Sequence, residues 1–179
     1  MESGIEESGI EESGIEESGI EESGIEWSQV AKFFVHGRAA PAGSKSAFRI
    51  GGRTVVAPAS KYSKPWMEVI HYRCLEEFDE IILGAVFLVT EFVLQRPKAH
   101  HISSKRSNGL KAKFLDSDML SVPDCTKLVR CVEDAMTGVV WKDDSQVIEQ
   151  RNIKRYAGPG ELPGVWITVL VRSGDDEVG

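Results

Sequence analysis

The chain has 179 residues, with 28 Asp plus Glu against 21 Lys plus Arg, a formal net charge of −7 and 41% hydrophobic residues. Taken whole, these figures describe an acidic, single-domain chain and argue against nucleic acid as a partner. No stretch approaches the roughly 18–20 apolar residues that span a bilayer, and the glutamate-rich start lacks the bases and apolar run of a secretory signal.

The charge is unevenly spread. Residues 2–26 are five copies of the pentad Glu-Ser-Gly-Ile-Glu and hold ten glutamates and no base. Without them 18 acids face 21 bases, and without Asp175, Asp176 and Glu177 as well, 15 acids face 21 bases. The body is therefore basic, at +6. On a helix, successive Ile side chains of the pentad step about 140° around the axis and share no face, and on a strand the odd period flips each one. Gly and Ser lower helix propensity further, and the paired glutamates repel. The expectation is a disordered acidic leader over 1–26, a folded domain over 27–173 and an acidic tail over 174–179.

Along the body, Phe33–Val35 begins an extended segment that runs into a loop at Pro41–Ser44. Ala47–Ile50 and Arg53–Val56 flank Gly51-Gly52, the signature of a tight hairpin. After Pro65, the apolar residues Trp66, Val69, Ile70 and Cys74 recur at helical spacing and predict a helix to about Phe78. Ile81–Leu94 is too short and too interrupted by Thr90 and Glu91 to cross a membrane; it reads as a buried strand, with Ala85–Leu94 central in a sheet. From Arg96 to Lys113 the chain is polar. It carries Arg96, Lys98, Lys105, Arg106, Lys111 and Lys113, together with His100 and His101, and no acid. A second helix is predicted from about Thr126 to Met136, with Leu128, Cys131, Val132, Ala135 and Met136 on one face and Gly138 as its stop. Val139–Trp141 and Val147–Lys154 read as extended, Gly158–Gly164 as a loop and Val165–Val171 as a last strand. Helices and strands mix without regular βαβ alternation, so the fold class is α+β: a small mixed sheet packed with helices. Cys74, Cys125 and Cys131 form no CxxC pair, which favours reduced thiols in a cytoplasmic chain over a zinc site.

Familiar nucleophile and phosphate-loop motifs are missing: there is no GxSxG, GxxxxGK[ST], HExxH or strand-following GxGxxG. Four acids cluster in sequence around the second helix: Asp124 before it, Asp134 on it, and Asp143 and Asp144 after it. A hard cation such as Mg²⁺ takes carboxylate oxygens, with water and substrate phosphate completing its shell. A helix folding back onto a strand could bring two of these aspartates together, and Lys127 and Arg130, opposite the apolar face, could hold a phosphate. Acids for metal and bases for phosphate suit a metal-dependent phosphodiesterase. Plainer roles stay open for each residue. Asp124 suits a helix N-cap, Asp143-Asp144 a polar turn, Asp134 an i,i+4 pair with Arg130, and Lys127 and Arg130 a solvated face.

The order of these residues is more specific than their charge. Pro123-Asp124-Cys125-Thr126-Lys127-Leu128-Val129-Arg130, then Glu133-Asp134-Ala135-Met136-Thr137-Gly138, then Trp141-Lys142-Asp143-Asp144-Ser145-Gln146-Val147 closely resembles the RusA family of Holliday-junction resolvases. That family's pattern runs roughly P-D-x-D-[KN]-L-x-[KR], a helix ending D-A-L-T-G, then D-D-x-Q-[VI]. Val35-His36-Gly37-Arg38-Ala39-Ala40-Pro41 with the Gly51-Gly52-Arg53 hairpin is similar to the family's N-terminal part. Pro97-Lys98-Ala99-His100 resembles the basic segment of phage-type members.

The resemblance implies a homodimeric, Mg²⁺-dependent endonuclease that resolves four-way DNA junctions by paired nicks, in the cytoplasm of a bacterial or phage-infected cell. By position, Asp124 matches the first metal-binding aspartate and Asp143 and Asp144 the paired acids after the helix, with Asp144 the stronger ligand. Arg130 matches a position where the family has a functionally important Lys or Arg, and Lys127 one where it has Lys or Asn. Thr126 stands where the family has its second aspartate; a hydroxyl can ligate Mg²⁺ without bringing charge, which implies weaker metal binding. The Arg96–Lys113 bases (Arg96, Lys98, Lys105, Arg106, Lys111, Lys113) are expected to bind the DNA backbone. Two other expectations stay open: a catalytically weakened or inactive DNA-structure-binding protein of the same fold, and a protein-interaction module with incidental charge.

Overall fold

The computed structural model describes residues 26–42, 45–58, 60–102 and 109–173. The pentad leader up to residue 25, the acidic tail, Lys105 and Arg106 lie outside the described residues. Six strands and two helices follow in the order β1 (Trp27–His36), β2 (Lys45–Ile50), β3 (Arg53–Pro58), α1 (Ser63–Glu77), β4 (Val86–Leu94), α2 (Cys125–Met136), β5 (Val147–Tyr156) and β6 (Gly164–Arg172). Four of the strands form one sheet in the order β1-β6-β4-β5, and β2 and β3 pair as a separate hairpin. The architecture is the expected α+β one.

The sheet is mixed because its last strand returns between two earlier ones. β6 runs antiparallel to both β1 and β4, whereas β5 lies parallel to β4. A parallel neighbour needs a crossover, and α2 supplies it, so β4-α2-β5 is one βαβ-type unit in a fold that otherwise lacks that alternation. β4 is interior and almost wholly buried, as its run of Val, Phe and Leu requires. Side chains alternate along the strands, and one face carries Phe33, Val35, Leu88, Phe92, Val165, Ile167 and Val169 into the core.

Helices α1 and α2 cover that face. α2 buries Leu128, Val129, Cys131, Val132, Ala135 and Met136, the stripe its 3.6-residue spacing sets. α1 buries only Ser63, Trp66, Ile70 and Cys74; Val69, expected on the same face, is 46% exposed. The contact with α2 needs no wider a stripe, because every fourth residue keeps to one line along the helix. All three cysteines are free, and the Cys131 thiol lies 3.8 Å from the Ser63 carbonyl oxygen. No helix among the described residues is long and apolar enough to cross a membrane.

Two segments differ from expectation. Val139 and Val140 form a turn, not a strand, and Trp141 makes only isolated bridges to Ile82 and Thr137: Gly138 adopts φ +83°, and the N–H groups of Val139 and Val140 both donate to the Met136 carbonyl, at 3.1 and 2.9 Å. The extended segment read from Ile81 starts only at Val86, and Ile81 and Leu83 are exposed. The hairpin turn is as expected, with Gly51 and Gly52 at φ +55° and +81°.

The α2 stripe carries the core, so Leu128, with no exposed surface, is the residue to truncate. Leu128→Ala is expected to lower the unfolding free energy by about 2–5 kcal/mol, read as a lower urea midpoint with an unchanged slope.

Candidate functional site

The first turn of α2 is held from three sides. Its backbone opens at Asp124, whose carbonyl accepts the N–H groups of Lys127 and Leu128, each at 3.1 Å. The Ala42 N–H donates to the Lys127 carbonyl at 2.8 Å, docking the chain that follows β1 onto the helix. From β5, Lys154 Nζ donates to the carbonyls of Ser121 (2.7 Å) and Pro123 (3.0 Å), fixing the approach to Asp124.

Asp124 occupies the N-cap position but does not cap the helix with its side chain. The carboxylate turns outward to Lys127 Nζ at 2.9 Å. The Lys127 ammonium, with Lys154 a lesser influence, holds this carboxyl below its usual range. Thr126 and Arg130 are exposed on the same helix, and no side-chain hydrogen bond or ion pair engages either among the described residues.

Beside Asp124 and Lys127 opens a cavity of about 670 Å³. Arg38, Tyr62, Gln95, Lys98 and Met119 also line it. Sequence reading missed Arg38, Tyr62 and Gln95. They come from three separate elements, so no spacing joins them; only the docking of the 38–42 segment on α2 does.

The other end of α2 is acidic. The Asp144 carboxylate accepts a hydrogen bond from the Thr137 hydroxyl and lies 3.4 Å from the indole nitrogen of the fully buried Trp141. Asp143 caps the short turn after it, accepting the Ser145 N–H at 2.9 Å. Gln146 locks that turn: its amide oxygen accepts the Lys142 and Asp143 N–H groups, and its nitrogen donates to the carbonyls of Ile82 and Gly84. Glu133, which the sequence reading overlooked, bonds the Gln150 side chain. Burial first, then the nearby Asp144 and Asp134 charges, push its carboxyl up. Burial also raises Asp134, which forms no ion pair with Arg130.

Asp124 and Asp144 therefore sit at opposite ends of α2. Its 12 residues, at a rise of 1.5 Å each, put roughly 18 Å between them. The fold does not bring the two together within one chain. Among the described residues no group of three His, Cys, Asp or Glu side chains is placed to hold a metal ion.

The basic segment divides in use. Arg96 is spent inside the fold: its guanidinium donates to the carbonyls of Ala157 (2.9 Å), Phe114 (2.6 Å) and Leu115 (3.2 Å). Lys111 donates to the Ala99 carbonyl at 2.8 Å, and the Lys113 ammonium lies 4.9 Å from the Phe114 ring centre. His100 stacks on Phe114 with ring centres 3.9 Å apart, and its Nδ1 is buried without a hydrogen-bond partner. Lys98 is exposed on the cavity rim, and its side chain forms no hydrogen bond or ion pair among the described residues.

A family model described as Endodeoxyribonuclease RusA matches residues 40–169. The chain is also 29% identical over 128 residues to "Uncharacterized protein YqaN" of Bacillus subtilis (strain 168), covering 70% of this chain and 87% of that protein.

The crowded acids at the C-terminal end of α2 make a stability prediction. A carboxyl raised in the folded state favours the protonated form there, so its ionised form opposes folding above that raised pKa. Glu133→Gln keeps an oxygen for Gln150 and removes the charge. It is expected to raise Tm at pH 7–8, with the gain fading as the pH falls through the raised pKa toward 4.5, measured by thermal unfolding across pH.

Proposed function

The chain belongs to the RusA family of endodeoxyribonucleases, and from that premise we propose that it is a Mg²⁺-dependent homodimer that resolves four-way junctions by paired phosphodiester hydrolysis. The family acts as Holliday-junction resolvases on branched DNA. The metal, the dimer and the paired cuts are our own reading. The observation that carries it is the Asp124–Lys127 pair: a carboxylate at a helix start that does not cap, held ionised by an ammonium beside a cavity with cations on its rim.

Asp124, Asp143 and Asp144 are hard oxygen donors of the kind Mg²⁺ takes, and the Thr126 hydroxyl is a neutral one. They do not converge in one chain, so an ion would be held between two copies, with Asp124 of one protomer and Asp144 and Asp143 of its partner as the residues that would supply its oxygens. A two-fold axis also suits a substrate whose arms are related by two-fold symmetry. A bound ion would lower the pKa of a water and neutralise the leaving oxygen.

The side chains do the rest. Lys127, beside Asp124, would offer its ammonium to the scissile phosphate and stabilise the charge building on its oxygens. Arg130, one turn along and exposed, offers a second cation. Lys98, Lys111 and Lys113, with Lys105 and Arg106 on the same segment, meet the DNA backbone, so affinity falls steeply with salt. Arg96 serves this surface indirectly, by tying the 114–117 segment to Ala157, the residue that follows β5.

One observation favours a weaker reading. Thr126 is exposed where the family has its second aspartate, which suits a chain that binds junctions but cuts them slowly or not at all.

Labelled four-way junctions incubated with Mg²⁺ separate the two. Paired nicks are expected, abolished by Asp124→Asn and slowed by Lys127→Ala by about 10²–10³-fold, while Thr126→Asp speeds them. Junction binding without nicks, with nicks appearing in Thr126→Asp, would establish the weaker reading. Absence of salt-dependent junction binding would contradict both.

A further inference from the structure

The cavity beside Asp124 holds more unspent chemistry than phosphate contacts alone require. At about 670 Å³ it lies within the range of about 300–1,000 Å³ typical of small-molecule sites. Among the described residues, the side chains of Arg38, Gln95 and Lys98 that line it form no hydrogen bond or ion pair. Tyr62 is 45% exposed, with the Arg38 guanidinium 4.8 Å and the Lys61 ammonium 5.1 Å from its ring centre. Met119 and Pro163 supply apolar wall, and Asp124 and Lys127 form another side.

An aromatic ring, a free amide and the cations Arg38 and Lys98 in one concave site are the complement of a single nucleotide, whose base would take the place of a cation over the Tyr62 ring. Aromatic rings take a base face-on, an amide pairs with a base edge, and cations take the phosphate. A base inside an intact helix cannot enter a cavity, because stacking and pairing hold it in the duplex. At the exchange point of a branched substrate those restraints are weakest.

We propose that this cavity receives one unpaired nucleotide of the branched DNA, its base on Tyr62, its edge at Gln95 and its phosphate between Arg38 and Lys98. The inference rests on the junction-cleaving function proposed above and gives it a basis for selecting branch points: duplex DNA fills only the basic surface, whereas a junction also fills the cavity. The occupied cavity would anchor the strand next to the Asp124–Lys127 pair.

The test is a binding cycle on the full chain in EDTA. Four-way junctions carry either a normal nucleotide or an abasic one at the exchange point or at either neighbouring position. They are titrated with the natural chain, Tyr62→Leu and Tyr62→Phe. At one position, base removal is expected to weaken the natural chain and Tyr62→Phe about tenfold more than Tyr62→Leu. On unbranched duplex all three should bind alike. Abasic effects equal to within about twofold in all three chains at every position, with salt-dependent junction binding intact, would overturn the cavity proposal alone. Equal losses by Tyr62→Leu on duplex and junction would overturn it too. A natural chain without salt-dependent junction binding would sink the junction function, and the cavity proposal with it.

Discussion

Helix α2 is the constraint on which the rest depends. It is the crossover that allows β5 to lie parallel to β4, and it buries six of its 12 residues in the core. Being so fixed, it acts as a rigid spacer with the Asp124–Lys127 pair at one end and Asp144 with Glu133 and Asp134 at the other. No side-chain rotation closes a gap of roughly 18 Å. The carboxylates that the family pattern groups in sequence are thus kept apart in space, and a site using both ends has to be completed by a second chain.

The two ends have opposite electrostatic characters. At the N-terminal end a carboxylate has been drawn off the cap by Lys127 and is easily ionised. At the C-terminal end burial and mutual repulsion make carboxyls reluctant to ionise. A divalent cation arriving at the acidic end would relieve that repulsion, and one arriving at the basic end would displace an ammonium. Under the proposed dimer, these opposite responses would let the two ends complement each other across the interface.

Much of this was legible in the sequence. The spacing of Leu128, Cys131, Val132, Ala135 and Met136 marks α2, and Gly51-Gly52 marks the hairpin, because both signals are local. Val139–Trp141 misled because two valines and a tryptophan read as strand, whereas the positive φ of Gly138 and a shared Met136 carbonyl curl the two valines into a turn and leave Trp141 only isolated bridges. Arg96 counted as one more DNA-facing base, but its donors go to carbonyls of its own fold. Asp124 looked like a cap by position, and only its distance to Lys127 shows otherwise. The cavity was invisible for the same reason: Arg38, Tyr62 and Gln95 meet through long-range docking, which no single stretch of sequence encodes.

Mixing two inactive variants tests the shared site most directly. In a heterodimer of Asp124→Asn and Asp144→Asn chains, one site receives both substitutions and the other receives neither. After subunit exchange, random pairing leaves half the dimers with one intact site, so nicking should recover to about a quarter of the natural rate, as single-strand nicks. No recovery above either variant alone, in a sample verified to contain the heterodimer, would contradict a site built across the two chains.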